Sequence, residues 1–241
     1  MNNLDVNNEL EVRELITLEE QAMGRKVFDE VWPVMGGGTE VTSNLMQALV
    51  HNGSYLAGAF IDGKIAGAAF GFPSIKDEPH LHSHMAATLN KYRDAGVGTA
   101  LKMHQYTWAR EQGYKSIRWT FDPLVRRNAK LNIVKLGVDV IDYHPNFYGA
   151  MNDMVNSGDE SDRLMARWDL TDEVPLVRPV ITNIPSDSIR IAIPEDIVKL
   201  RGEDPTKARE WRMNVRQVFM NALKNKRELI GFSDNNEYIL A

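Results

Sequence analysis

Alternating apolar and polar positions near the start of the chain predict a strand and then two helices. Leu10–Leu15 alternates with the two-residue period of a strand that has one buried face. Thr17 precedes Glu20 by three positions, the spacing of a capping box, which predicts a helix that ends at Val31 before a proline. A second helix is predicted over Ser43–His51.

Two apolar runs then flank Asp62-Gly63, a dipeptide typical of a β-hairpin turn. The runs are Ser54–Ile61 and Lys64–Phe72, and both are rich in Ala and Gly. Such strands bring little side-chain bulk, so we expect them to pack closely against another element. A third strand is predicted over about His80–Leu89.

The chain is organised around residues 89–112, where the pattern predicts a strand end, a tight glycine turn and a helix. The turn is Arg93-Asp94-Ala95-Gly96-Val97-Gly98, of the form R-x-x-G-x-G. Glycines let a ligand approach the backbone, and the helix directs free N–H groups and its positive dipole end at the turn. With the charge of Arg93, this arrangement suits a phosphate or pyrophosphate. An ordinary glycine turn before a helix has the same pattern, so both interpretations stay open.

Two common phosphate-binding motifs do not fit this turn. A P-loop needs G-x-x-x-x-G-K-[ST], and the sequence has no such run. A Rossmann turn follows the first strand of its unit and has an acidic residue about 20 positions later. Here several strands come first, and the corresponding region offers only Arg118.

The next stretch of the chain predicts a strand, a helix and two further strands. They lie at Ser116–Phe121, Arg126–Leu136, Val138–Tyr143 and Leu164–Leu170.

This order of elements, with its R-x-x-G-x-G turn, resembles the GNAT (GCN5-related) N-acetyltransferase superfamily, whose coenzyme A-binding turn has the form Q/R-x-x-G-x-G/A. Asn128, Lys135 and Gly137 match the next family segment, with Ala129 shifted in register. A finer similarity is to a poorly characterised subgroup of predicted acetyltransferases with a C-terminal extension. The resemblance implies an α/β fold with an α+β mixed sheet, the GNAT acyl-CoA N-acyltransferase fold, over about residues 10–170.

The predicted domains follow from that resemblance and from the prolines after it. Residues 1–170 would form the GNAT-like domain, 171–188 a linker, and 189–241 a small C-terminal α/β extension. The extension is too short to bury a sizeable core alone, so we expect it to pack on the main domain or on a second subunit. Its predicted elements are strands at Arg190–Ile193, Leu229–Phe232 and Tyr238–Leu240, and a helix from Pro205 to about Lys224.

The resemblance implies acetyl-CoA (or another acyl-CoA) as cofactor, and transfer of its acetyl group to an amine by direct attack on the thioester. The residues that it assigns to the cofactor lie at the end of the third strand, in the turn and first helical residues, and at one asparagine. They are Ala87, Thr88, Leu89, Arg93, Asp94, Ala95, Gly96, Val97, Gly98, Thr99 and Asn128. Asn128 has the alternative role of capping its helix.

The amine must lose a proton before it attacks, which requires a base. His80, His82 and His84 alternate, so their rings share one face of the predicted strand at roughly 7 Å spacing. Imidazole titrates near neutral pH, and we predict His84 as the base with His82 behind it; Asp122 is a further candidate. The alternatives are that the histidines only pack, or that an H-x-H pair binds zinc, which would need further ligands. The family needs no metal, and none is predicted.

Ile133 departs from the family pattern, because many GNAT enzymes have there a tyrosine that reprotonates the departing thiolate. Isoleucine has no proton to donate, and we predict Tyr143 or Tyr148 as the substitute. The departure also favours a second hypothesis, a catalytically silent acyl-CoA-binding sensor. A third is a protein-interaction scaffold that recruits a partner through the apolar face of the C-terminal helix, although we expect that face to be core. Its residues are Trp211, Val215, Val218, Phe219, Ala222 and Leu223.

Composition narrows the remaining function classes. The chain has no cysteine, so it has no disulfide, thiolate zinc site or cysteine nucleophile. Its net charge of −5 argues against general nucleic-acid binding and suits a cationic amine. No long apolar window or basic leader predicts a membrane span or signal peptide. We therefore expect a cytoplasmic protein, a possible homodimer, that acts on a small-molecule or peptide amine.

Overall fold

The computed structural model describes residues 10–171 and 177–241. The chain forms two compact units that divide between Tyr114 and Lys115. The boundaries predicted at residues 170 and 189 therefore both fall within the second unit.

The first unit has four strands that pair antiparallel with their neighbours in chain order. They are β1 (Leu10–Glu14), β2 (Tyr55–Ile61), β3 (Lys64–Ser74) and β4 (His80–Thr88). Its α-helices are α1 (Leu18–Val31), α2 (Ser43–His51) and α3 (Val97–Glu111), and a 3₁₀ turn covers Asn90–Tyr92. The predicted elements of this region are thus confirmed, with ends that move by one or two residues.

Local signals in the first unit act as the sequence predicts. The Thr17 hydroxyl accepts a hydrogen bond from the Glu20 N–H at 3.2 Å, and the Glu20 carboxylate accepts one from the Thr17 N–H at 3.0 Å, which completes the capping box. Asp62 and Gly63 have φ of 50° and 70°, the left-handed pair that a tight hairpin turn requires. Both predictions are confirmed.

The two faces of β3 receive different helices. Ala68 and Phe70 belong to the apolar core that includes Phe28 of α1 and Met46 of α2. Gly67 points the other way: a Cβ there would lie 2.6 Å from the side chain of Val97 and 2.6 Å from the main-chain oxygen of Ala87. The missing side chain therefore lets the start of α3 lie directly against the sheet.

The second unit has two antiparallel sheets. In one, β7 (Arg163–Asp169) lies between β5 (Ser116–Phe121) and β6 (Asp139–His144). In the other, β10 (Glu237–Leu240) lies between β8 (Ile189–Ala192) and β9 (Leu229–Phe232). Its helices are α4 (Arg126–Ala129), α5 (Ile197–Glu203) and α6 (Pro205–Lys224), with a π-helix at Lys130–Lys135.

Two features of the second unit differ from the prediction. The single helix expected over residues 126–136 is a short α-helix that continues as a π-helix. The helix α5 was not predicted, and it begins where the side chain of Asp196 accepts a hydrogen bond from the Lys199 N–H at 3.0 Å. Asp196 is a recognisable capping residue, but α5 is too short to show a clear apolar period in the sequence.

The C-terminal helix α6 buries its apolar face within the second unit. Val215, Phe219 and Ala222 are fully buried, which confirms for these three residues the expectation that the stripe is core, while Trp211, Val218 and Leu223 are half-buried. The ring of Phe219 stacks on Tyr143 at 5.8 Å and meets Tyr238 edge-on at 5.0 Å. Because Tyr143 ends up against α6, residues 189–241 share a core with the strands that precede them. No helix among the described residues is both long and apolar enough to span a bilayer.

Candidate active site

The turn before α3 adopts a backbone conformation that exposes its main chain. Asp94 and Gly96 have φ of 65° and 80°, and α3 begins at Val97, directly after Gly96. Residues 93–96 are exposed, while Val97 is buried under the sheet. The turn therefore protrudes from the surface, and the helix that follows it is anchored in the core.

The N-terminus of α3 has no side-chain cap. Thr17 and Thr42 cap α1 and α2, and Asp196 and Asp204 cap α5 and α6, each by accepting a hydrogen bond from an N–H of the first turn. Gly96 has no side chain that could do this for α3. The first N–H groups of α3 and the positive end of its dipole are therefore available to an anion.

There is room for an anion beside Gly96. A Cβ at Gly96 would meet no atom within 4 Å. The exposed side chains beside it include Arg93, whose charge would add to the helix dipole. Asp94 is exposed too, so its carboxylate can remain in solvent. Gly98 and Thr99 lie half-buried in the first turn of α3.

The predicted cofactor residues at the end of β4 offer main chain rather than side chains. Ala87 and Leu89 are 4% and 6% exposed and belong to the core of the first unit, and Thr88 is half-buried. The Leu89 N–H donates to the Ala66 carbonyl at 2.9 Å. Contact of a ligand with Ala87 or Leu89 would therefore be through backbone groups.

His82 and His84 share a surface with Phe72 on the neighbouring strand. The two imidazole centroids are 6.1 Å apart, and each lies within 6 Å of the Phe72 ring. The pairing of β3 with β4 shifts register here, so that Phe70 pairs with Met85 and Gly71 with Ser83. His84 is left without a paired residue, in a β-bulge of the kind that re-aims side chains.

Both histidines have a lowered pKa. Burial, then the neighbouring His84, His80 and Lys102, lower the pKa of His82 to about 4. Burial also lowers the pKa of His84, which is the more exposed of the pair. At neutral pH both rings are uncharged and can accept a proton, but His82 does so only weakly. His80 donates a hydrogen bond from Nδ1 to the Glu78 carbonyl, 2.8 Å away.

A buried lysine behind β4 was not predicted. Lys102 of α3 is 3% exposed, and its Nζ donates to Ser83 Oγ at 2.7 Å and to Gln105 Oε1 at 3.2 Å. Burial lowers the pKa of Lys102 to about 7. The helical period could have placed Lys102 one position after Leu101 on the buried face, but a lysine there is rare without a partner.

Asp122, a predicted base, lies in a buried ion pair of the second unit. Its carboxylate accepts from Arg212 Nη1 at 2.8 Å and Nη2 at 3.0 Å, and from Arg201 Nη2 at 2.5 Å. Burial alone would raise the pKa of Asp122, but Arg212 and Arg201 outweigh it and hold that pKa well below its usual range. A carboxylate so engaged is a poor proton acceptor, and we assign Asp122 a structural role instead.

Three further predicted residues lie in the second unit. Tyr148 is 40% exposed, and its hydroxyl shares a hydrogen bond of 3.0 Å with Thr120 Oγ1. Asn128 lies inside α4, which begins after Val125 and has no side-chain cap, so the capping role is not observed. Ile133 is fully buried in the π-helix.

Tyr143, the other proposed proton donor, is held inside the core. It donates a hydrogen bond of 2.5 Å to Asp162 Oδ2. Burial and this bond to a carboxylate raise its pKa far above the usual value. Of the two tyrosines, only Tyr148 has a hydroxyl that solvent can approach. No group of three or more histidine, acidic or cysteine side chains in residues 10–171 and 177–241 is arranged to hold a metal ion.

Solved acetyltransferase structures share the fold of this chain over about two thirds of its length. An acetyltransferase of the GNAT family from Streptococcus pneumoniae superposes with a TM-score of 0.54 at 18% identity, over 68% of this chain and 100% of that chain. The ribosomal-protein-S18-alanine N-acetyltransferase from Escherichia coli gives 0.53 at 12% identity, over 69% and 97%. Arabidopsis thaliana Naa50, in complex with the bisubstrate analogue CoA-Ac-MVNAL, gives 0.52 at 15% identity, over 66% and 97%.

Comparison by sequence places a family match over the glycine turn. Residues 22–131 match the model described as the acetyltransferase (GNAT) family, which spans the first unit from α1 onward and reaches the π-helix. No curated protein sequence matches the chain. Residues 22–131 thus match the GNAT acetyltransferase family by sequence, and the chain has the α/β fold of the GNAT acetyltransferases.

Proposed function

We propose that this protein is an acyl-CoA-dependent N-acyltransferase that moves an acetyl group to the amine of a small molecule or peptide. When bound, acetyl-CoA supplies a thioester whose acetyl group is activated for attack by an amine. The acceptor carries a neutral amine at the moment of attack, so the protein has to take up its proton.

The observation that supports this proposal best is the uncapped N-terminus of α3. In α1, α2, α5 and α6 a side-chain cap bonds part of the first turn, while α3 has no such cap and follows an exposed turn with two left-handed residues. A pyrophosphate matches the free N–H groups, the helix dipole and the charge of Arg93. The empty space where a Gly96 side chain would be allows close approach of the backbone. The residues at this turn therefore fit the diphosphate of coenzyme A.

The residues proposed to hold the cofactor follow from that fit. Main-chain N–H groups of residues 95–99 would bind the diphosphate, with Arg93 as its counter-charge. The backbone of Ala87, Thr88 and Leu89 would contact the acyl end. Asn128 is proposed as a further cofactor contact from the family resemblance alone.

His84 is the proposed base, because it combines partial exposure with an uncharged ring. Its lowered pKa keeps Nδ1 or Nε2 free to accept a proton at neutral pH. His82 is the second choice, since its pKa of about 4 makes it a much weaker base. Tyr148 is proposed as the proton donor that Ile133 cannot be.

One observation favours a second candidate function, binding of acyl-CoA without transfer. Ile133 is buried where a proton donor would be expected, and Tyr143 is hydrogen-bonded to Asp162. A protein with an intact glycine turn but no working acid and base would sense acyl-CoA rather than use it. The scaffold hypothesis has less support, because Val215, Phe219 and Ala222 of the α6 face that it requires are buried.

Cofactor binding is tested by isothermal titration with acetyl-CoA. In Gly96→Trp, the indole would occupy the space proposed for the diphosphate, and we expect affinity to fall about a hundredfold or more. The matched control is Gly113→Trp, at the other end of α3, where φ is 82° against 80° at Gly96 and a Cβ again meets nothing within 4 Å. Both variants suffer the same backbone strain, so only loss of binding at Gly96 supports the site. Absence of binding in the wild type would refute the proposed function.

Transfer is tested by thiol release from acetyl-CoA across a panel of small-molecule and N-terminal peptide amines. We expect turnover with at least one amine, and a decrease of about a hundredfold in His84→Ala. His51→Ala, which removes an exposed histidine of α2, serves as the control. Tight acetyl-CoA binding without turnover on any amine would favour the silent binder instead.

A further inference from the structure

Tyr148 is held in place by residues close to the start of β7. The main-chain N–H of Tyr148 donates to Ser161 Oγ at 2.9 Å, and the Phe147 N–H donates to the Ser161 carbonyl at 3.0 Å. The guanidinium of Arg163 lies 5.2 Å from the centre of the Tyr148 ring. The position of this tyrosine therefore depends on how residues 161–163 are fixed.

Asp162, in the middle of that segment, is fixed from both sides. It is fully buried, and Oδ1 accepts a hydrogen bond from the Asn146 N–H at 2.9 Å. Oδ2 accepts from the Tyr143 hydroxyl at 2.5 Å. The bond from Asn146 holds the segment that contains Tyr148 at the start of β7, and the bond from Tyr143 links the same carboxylate to β6. A buried carboxylate also needs a cation, since burial of an unpaired charge is costly.

The cation comes from the C-terminal extension. Arg216 of α6 donates to Asp162 Oδ2 at 2.8 Å through Nε and to Oδ1 at 2.5 Å through Nη2. The same Nη2 also lies 2.5 Å from Glu160 Oε2. A two-pronged guanidinium contact fixes orientation as well as charge. Arg216 thus connects α6, through Asp162, to the backbone that places Tyr148.

A second arginine of α6 binds close in sequence to the other hydrogen-bond partner of Tyr148. The Tyr148 hydroxyl bonds to Thr120 of β5, two residues before Asp122. Asp122 is bound by Arg212, which also donates to Asp159 Oδ2 at 2.7 Å. The extension therefore makes ion pairs with Asp162 and Asp122, which lie one and two residues from the two hydrogen-bond partners of Tyr148, Ser161 and Thr120.

We propose that the C-terminal extension is a positioning element for Tyr148, with Arg216 as the residue through which it acts. This rests on the proposed function, in which Tyr148 donates a proton. Arg216 does not act on the substrate; it holds Asp162, and Asp162 holds the segment 146–148. The extension is then part of the catalytic machinery of this chain rather than a separate domain.

Hydrogen exchange tests the positioning without any acceptor. In the full-length variant Arg216→Gln, we expect the amide protons of Asn146, Phe147 and Tyr148 to exchange about tenfold faster or more, with those of β5 and β7 unchanged. The control is Arg209→Gln, because Arg209 also faces Glu160 but at 4.0 Å and 74% exposed, against 16% for Arg216. Arg216→Lys, which keeps the charge but not the two-pronged contact, should lie between wild type and Arg216→Gln. Unchanged exchange in 146–148, or equal acceleration across β5 and β7, would overturn the proposal.

A double-mutant cycle tests the link to catalysis, using the amine identified by the thiol-release screen. We expect Tyr148→Phe and Arg216→Gln each to lower kcat about tenfold, with KM for acetyl-CoA within about twofold of wild type. If Arg216 acts through Tyr148, the double variant is no slower than Tyr148→Phe. Multiplied effects would contradict the positioning role. Failure of the proposed function appears differently, as a wild type that does not bind acetyl-CoA, and leaves the exchange result intact.

Discussion

The Nζ of Lys102 lies 2.7 Å from Ser83 Oγ, and both side chains are almost completely buried between α3 and β4. Burial lowers the pKa of Lys102 to about 7. A lysine in the unfolded chain keeps its proton until about pH 10.4. Between these values the unfolded state binds more protons than the folded state, so the free energy of unfolding rises with pH.

We therefore expect the wild type to become more stable between pH 7 and pH 9 relative to Lys102→Met. The slope of the difference should approach about 1.4 kcal/mol per pH unit. Urea unfolding at a series of pH values measures it. Lys130→Met removes an exposed lysine and should show no such slope. A flat difference for Lys102→Met would mean that Lys102 remains charged in the folded protein throughout this range.

The ion pair of Asp122 with Arg212 predicts a large loss of stability when one partner is removed. Arg212 is fully buried and makes four hydrogen bonds to Asp122 and Asp159. Removing one partner of a buried pair leaves an uncompensated charge, which costs about 3–5 kcal/mol. We expect Arg212→Met to lower the free energy of unfolding by that amount in denaturant titrations.

The matched control for this loss is Arg209→Met on the same helix, because Arg209 is 74% exposed. It should change stability by about 0.5 kcal/mol or less. The double variant Asp122→Leu/Arg212→Met should recover part of the loss, since it buries no unpaired charge. A double variant less stable than Arg212→Met alone would contradict this account.

The close approach of α3 to the sheet predicts that Gly67 tolerates no side chain. A Cβ at Gly67 would lie 2.6 Å from the Ala87 oxygen and 2.6 Å from Val97 Cγ1, so α3 or β4 would have to move. We expect Gly67→Ala to lower the free energy of unfolding by about 1–3 kcal/mol. It should also weaken acetyl-CoA binding, because both elements contribute proposed cofactor residues.

Gly202→Ala is the control for that substitution. Gly202 lies in α5, and a Cβ there meets nothing within 4 Å. Alanine is the better helix former, so this variant should be more stable by about 0.5–1 kcal/mol. Thermal unfolding measures the stability of both variants, and titration with acetyl-CoA measures whether Gly67→Ala has also lost affinity. Equal stability of Gly67→Ala and wild type would contradict the packing described for β3.

The lowered histidine pKa values predict the acid limb of the activity profile. A base must be unprotonated, so kcat/KM falls as the pH drops through its pKa. With His84 as the base, we expect this limb below the ordinary value of about 6.5 and its loss in His84→Ala. A limb near pH 4, retained in His84→Ala and lost in His82→Ala, would assign the base to His82.

Local signals predicted the first unit well because each depends on neighbouring residues. The Thr17–Glu20 capping box, the Asp62-Gly63 turn and the glycine turn at residues 93–98 all lie where the sequence indicated. The same is true of α2, whose ends match the prediction at both residues. In these places backbone geometry and short-range hydrogen bonds decide the structure.

The residue roles that could not be predicted from the sequence are decided by partners far away along the chain. Asp122 looked like a turn residue and a candidate base, but its role is decided by Arg212, which is 90 positions away. Lys102 was not predicted as a buried residue, and its partner Ser83 lies 19 positions earlier on β4. The lowered pKa of His82 depends on burial by the fold, which a strand pattern alone does not report. Pairing of charges inside a core has no signal in local sequence.

The long sequence separation between Asp122 and its arginine partners also has a consequence for folding during translation. Ribosomes extend a protein from its N-terminus, so Asp122, Asp159 and Asp162 are translated before Arg201, Arg212 and Arg216. A nascent chain of 162 to 200 residues has those three acids but none of the three arginines that pair with them in the finished molecule. The first unit has no such dependence in its β1–β4 core, whose pairings are complete by residue 88. Synthesis therefore provides an order of folding. The glycine turn can form early, whereas Asp122, Asp159 and Asp162 gain their arginine partners only when α5 and α6 have emerged from the ribosome.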